Sequence, residues 1–71
     1  MNNSTTLDET LLSFFPVKDQ FSLCAKKAKK ASKKGNVQEA IQWFIMGLNV
    51  ARKNDNLVKE KEFKSYIVSM L

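Results

Sequence analysis

Six lysines stand in the nine positions from Lys26 to Lys34, and this run is the stretch best able to act on something outside the chain. Lys26, Lys29, Lys30 and Lys33 recur at three- and four-residue steps, so a helix would carry them on one flank, where like charges repel by a few tenths of a kcal/mol per pair. Interspersed glutamates would serve folding better, so the run implies an external anion. Two classes fit: an acidic segment of a partner protein, or nucleic-acid phosphate. Reading a nucleic-acid sequence requires groove-reading or stacking side chains, and the interleaved residues are Ala28, Ala31 and Ser32. Phosphate contact here would be weak, indifferent to sequence and steeply salt-dependent.

Catalysis finds little to work with. The chain has no histidine, and no Ser, Asp or Glu stands in a recognisable catalytic arrangement. Asp8 with Glu9 and Glu60 with Glu62 are paired in sequence, but on helices their side chains splay to different faces. The sole cysteine, Cys24, falls on a stripe of small residues, the setting of a buried and inert thiol. A lone thiol also rules out an internal disulfide and, without histidine, a zinc set. The expectation is a protein that is not an enzyme and uses no cofactor or metal.

These residues must be positioned by a small domain. Seventy-one residues form one unit, which at this size buries only about 60% of its unfolded surface. The formal charge of +5 is local, since residues 1–20 hold Asp8, Glu9 and Asp19 against Lys18 alone. No apolar run reaches the roughly 20 residues of a membrane span, and the polar start is unlike a signal peptide. The alanines opposite the lysines would add little to membrane-surface binding, so no membrane partner is expected. The reading is a cytoplasmic or nuclear domain. The apolar ending Met70-Leu71 reads as the front part of a longer protein.

The architecture reads as all-α. Residues 1–6 are expected to be disordered. Thr6 with Glu9 forms a capping box for a short helix over 7–15, ended by Pro16, whose Leu and Phe side chains must dock on the rest. A second helix covers 17–34, with Phe21, Cys24, Ala25, Ala28 and Ala31 on one stripe. Gly35 suits a left-handed terminator, Asn36 an N-cap, and Glu39 a capping-box carboxylate. The third helix, 37–53, has two apolar stripes, one of Val37, Ala40, Ile41, Phe44, Leu48 and Ala51, the other of Trp43, Met46 and Val50. It is therefore expected between the basic helix and a last helix over 57–71 that presents Phe63, Tyr66, Ile67, Met70 and Leu71. Short connections make sequential helices antiparallel neighbours.

Ala28, Gly35-Asn36, Ala40, Phe44, Gly47 and Leu48 resemble a tetratricopeptide-type (TPR-like) repeat in single copy. The resemblance covers about residues 21–54 and implies an antiparallel helical hairpin with a short N-terminal helix and a C-terminal capping helix. It also implies that Ser22, Ala25, Lys29, Ser32 and Lys33 line a concave binding surface. Single copies of this kind occur at the N-termini of larger proteins, including helicases of the Swi/Snf class. The same residues also resemble the microtubule-interacting and trafficking domain, a three-helix adaptor that binds helical peptides. Both point to a protein–protein interaction module. The candidate partner-binding residues are Lys26, Lys29, Lys30 and Lys33, with Ile45 and Met46 as apolar anchors if either is exposed.

Overall fold

The structure, a computed structural model, describes residues 10–71. Within them the fold is all-α: α1 (Val17–Lys33), α2 (Val37–Lys53) and α3 (Leu57–Met70) follow a helical turn at 10–12. The chain reverses twice through three-residue connections, and α2 packs against both α1 and α3. Extents of 30 × 27 × 14 Å give the flat shape of helices laid side by side.

The two reversals are the same device. Lys34 ends α1, Gly35 takes φ +81°, and the N–H groups of Gly35 and Asn36 donate back to the carbonyls of Ser32 (3.0 Å) and Ala31 (2.9 Å). This satisfies the last carbonyls of the helix in the Schellman pattern. Asn36 then caps α2: its Oδ1 accepts from the Glu39 N–H (3.3 Å) and its Nδ2 donates to Glu39 Oε1 (3.0 Å). The glutamate thus reaches the Asn36 side chain, because the Asn36 backbone N–H is already taken by Ala31. Twenty residues on, Asp55 at φ +52° and Asn56 donate to Arg52 (3.2 Å) and Ala51 (2.9 Å), and Asn56 Oδ1 accepts from Lys59 N–H (3.1 Å). A β-carbon on Gly35 would meet nothing within 4 Å, so the cost of replacing it is purely conformational. Gly35→Val should lower stability by more than about 1 kcal/mol. Asp55→Gly relieves the same strain at the twin turn and should be neutral or stabilising by up to about 1 kcal/mol. Chemical denaturation of both variants checks this, and a destabilised Asp55→Gly chain would show that Asp55 is held by more than backbone geometry.

The core joins small residues of α1 to bulky ones of α2 and α3. Cys24, Ala28 and Ala31 are buried on α1, which lets α2 approach closely, and Trp43, Phe44, Met46 and Leu48 fill the space from α2. Phe63 of α3 is only 2% exposed. Its ring stacks on Phe21 (6.0 Å between centroids) and lies against Phe44 (6.3 Å) and Tyr66 (6.0 Å), tying all three helices together.

Several expectations need correction. The helix expected to reach residue 15 stops at Leu12, and Phe14 and Phe15 donate to the carbonyls of Leu11 (3.1 Å) and Leu12 (3.0 Å) as tight turns leading to Pro16. Of its large side chains Leu12 docks in the core, whereas Phe14 is 78% exposed and Leu11 and Phe15 about half so. The predicted disordered 1–6 and the Thr6/Glu9 capping box lie outside the described residues. Val37 is exposed, because it begins α2 at the turn, ahead of the part that α1 and α3 cover. Leu71 is exposed past the last turn of α3. Among the described residues no helix is long and apolar enough to cross a membrane.

Candidate functional site

Local rules put the lysines on a helix. Pro16 opens α1, Asp19 stands in its first turn, and Lys30 and Lys33 stand in its last, so the charges complement the helix dipole. The burial of Phe21, Cys24, Ala28 and Ala31 then turns the lysines outward. Lys26, Lys27, Lys29, Lys30, Lys33 and Lys34 are all exposed. The ion pairs among the described residues lie elsewhere: Glu60 with Arg52 (3.5 Å) and Lys64 (3.4 Å), and Glu62 with Lys59 (3.1 Å). No carboxylate among the described residues pairs with the lysine run of α1. Lys27 and Lys29 instead lie over aromatic rings, 5.4 Å from Trp43 and 5.8 Å from Tyr66.

Those two rings lie on different sides of α1, and the structure thereby divides the run. On one side an open groove of about 570 Å³ runs between α1 and α3. From α1 it is lined by Lys18, Phe21, Ser22, Ala25 and Lys29, and from α3 by Lys59, Glu62, Phe63 and Tyr66. Ser22 and Ala25 leave its floor low. Glu62 is engaged within the groove wall, since Lys59 Nζ lies 3.1 Å from one oxygen and the Tyr66 hydroxyl donates to the other at 3.1 Å. The Lys59 hydrogen bond, joined by that from Tyr66, holds the Glu62 carboxyl below its ordinary range against a smaller opposing effect of burial. The same bond raises Tyr66, whose ionisation would place two negative charges together. The Glu62 charge is thus satisfied internally, and Lys18 and Lys29 leave the groove with excess positive charge.

The candidate residues do not form one site. Lys29 lines the groove; Lys30 lines a cleft on the other side of α1, with Lys27, Lys34 and Trp43. Lys26 and Lys33 are exposed. Ile45 is 41% exposed on α2 and does not line the groove. Met46 is 8% exposed and belongs to the core, which removes it as a surface anchor. The reason is that α2 is covered on two sides, so the Trp43 and Met46 stripe is spent on packing. Sequence reasoning passed over Lys18 and the α3 wall. The steps Lys18, Ser22, Ala25, Lys29 are themselves one helical stripe, but only a facing helix shows that it borders a groove.

Cys24 is fully buried, and burial pushes its thiol up to about 11 from 9.0. That leaves about a hundredfold less thiolate at neutral pH than an ordinary cysteine has. Native chain should therefore react with a disulfide reagent at least about a hundredfold more slowly than denatured chain. Rapid reaction under native conditions would mean that the α1–α2 interface opens readily.

Among the described residues no group of three His, Cys, Asp or Glu side chains is placed to hold a metal ion. No protein-family model, curated protein or solved structure matches the chain.

Proposed function

We propose that this is a non-catalytic protein–protein interaction module that docks an acidic or acidic-apolar partner segment in the groove between α1 and α3. The carrying observation is the lysine run of α1, which pairs with no carboxylate among the described residues, beside a groove whose one carboxylate is already bonded to Lys59 and Tyr66. A partner carboxylate beside the exposed Lys18 and Lys29 would complement the groove's excess positive charge. Tyr66, half-buried at the groove wall, offers apolar contact to a docked segment, with the rings of Phe21 and Phe63 recessed in the core beneath it. The repeat-like reading draws support from α2 packing on both neighbours with an open groove between α1 and α3, and three of the positions the resemblance implies, Ser22, Ala25 and Lys29, line it.

Peptides selected on the chain from a random library supply the ligand for a test. Lys18→Glu with Lys29→Glu should weaken groove-bound peptides at least about tenfold, and Ser22→Tyr should weaken them by filling the floor. Melting temperature should hold, because both lysines are exposed and a glutamate at position 18, in the first turn of α1, suits the helix dipole. Unchanged affinity in both variants would place the binding surface elsewhere. Tight binding to random-sequence duplex DNA that collapses with salt would instead favour a nucleic-acid-contacting basic domain.

A further inference from the structure

We infer that the opposite flank of α1 carries a second docking surface, which takes a partner segment with apolar residues at one end and acidic residues at the other. Two adjoining clefts compose it. The first, about 170 Å³, is lined by Leu11, Leu12, Phe15, Leu23, Lys27 and Trp43. The second, about 180 Å³, is lined by Lys27, Lys30, Ala31, Lys34, Glu39 and Trp43. Lys27 and Trp43 belong to both, so the surface is continuous from the segment before α1 to the end of that helix.

Its chemistry changes along its length. The first cleft is apolar: Leu12 and Trp43 are recessed in the core while Leu11 and Phe15 stand about half exposed at its rim. The second presents three lysines spaced along two turns, about 10 Å of helix. Against them stands one carboxylate, Glu39, and Asn36 Nδ2 already donates to it at 3.0 Å. An extended chain covers that distance in about three residues. The occupant is therefore an acidic stretch that begins a few residues from a pair of large apolar side chains, on a protein other than this one.

Charge and shape separate this occupant from the alternatives. A second copy would bring the exposed lysines of its own α1 toward the lysines here, and self-association that Lys30→Glu with Lys34→Glu abolishes would overturn the inference. Nucleic acid would leave the apolar cleft unused, and Trp43, 5% exposed, presents no face for a base to stack on. Leu11 and Phe15 project beside the lysines as binding to a lipid surface would require, so vesicles are the control that decides against it. No residue of the α1–α3 groove takes part, so the inference does not rest on the function proposed above.

The only tryptophan of the chain, Trp43, lies in both clefts and reports their occupation directly. Random-library peptides selected on the whole chain should include a class that pairs large apolar with acidic residues and shifts Trp43 emission. Lys30→Glu with Lys34→Glu, and separately Phe15→Ser, should weaken that class at least about fivefold, while Lys18→Glu with Lys29→Glu leaves it unchanged. The lysine reversals alter exposed positions only, so they decide the matter even if Phe15→Ser disturbs folding. The inference is overturned if every selected peptide keeps its affinity in the Lys30/Lys34 variant, or if none moves Trp43 emission. It is equally overturned if phosphatidylserine vesicles alone shift Trp43 as strongly as any peptide does.

Discussion

Phe63→Ala is expected to abolish cooperative unfolding of this chain at room temperature. The side chain is 2% exposed and contacts the rings of Phe21, Phe44 and Tyr66, so its removal strips a buried group that joins all three helices. Truncating a buried phenylalanine costs about 3–5 kcal/mol. A domain of this size has a total stability of the same order. Phe44→Ala, in a residue 4% exposed, should cost a comparable amount, whereas Phe14→Ala should change stability by less than about 0.5 kcal/mol. Thermal melts followed by far-UV circular dichroism check the series. A Phe63→Ala chain that melts within a few degrees of the parent would show that α3 contributes little to the core.

Gly47→Ala should destabilise the protein even though alanine favours helices. Gly47 lies inside α2, where the exchange would on propensity alone gain up to about 1 kcal/mol. The Phe63 ring, however, lies directly over the glycine, and a β-carbon there would fall 2.6 Å from Phe63 Cζ and closer still to Cε1. The ring cannot swing aside, because Phe21, Phe44 and Tyr66 enclose it. Overpacking of this kind costs about 1–3 kcal/mol, and the steric cost should win. Adding Phe63→Leu to Gly47→Ala should recover part of the loss, so that the pair is markedly non-additive in a double-mutant cycle. A Gly47→Ala chain more stable than the parent would mean that α3 can move away from α2 without loss.

The turn at Gly35-Asn36 was legible because its residue types have few other uses: a glycine free to take positive φ, an asparagine that caps, and a glutamate one turn on. Its twin at 54–56 was legible only as a polar turn. Aspartate at Asp55 does not announce a left-handed residue as glycine does, although the recurrence of Ala31 and Asn36 as Ala51 and Asn56 carries the pattern. The three main helices were written in three- and four-residue spacing, and their observed bounds differ from that reading by a residue at most. The N-terminal Leu and Phe residues misled, because a run of large apolar side chains says that something must be covered without saying how many can be.

Sequence alone thus settled the all-α class, the first reversal and the basic outer face of α1, since each follows from short-range backbone preferences or from charge that cannot be buried unpaired. Only the tertiary structure decided which apolar residues would be spent. Met46 went to the core while Phe14, Leu11 and Ile45 stayed at the surface, because α2 is covered on two sides and, of the large side chains described before α1, only Leu12 reaches the core. The structure alone also divided the lysines between a groove against α3 and a cleft against α2. The spacing of residues along one helix states which of them share a face; which neighbour that face meets depends on contacts between residues twenty to forty positions apart, and those exist only once the helices pack.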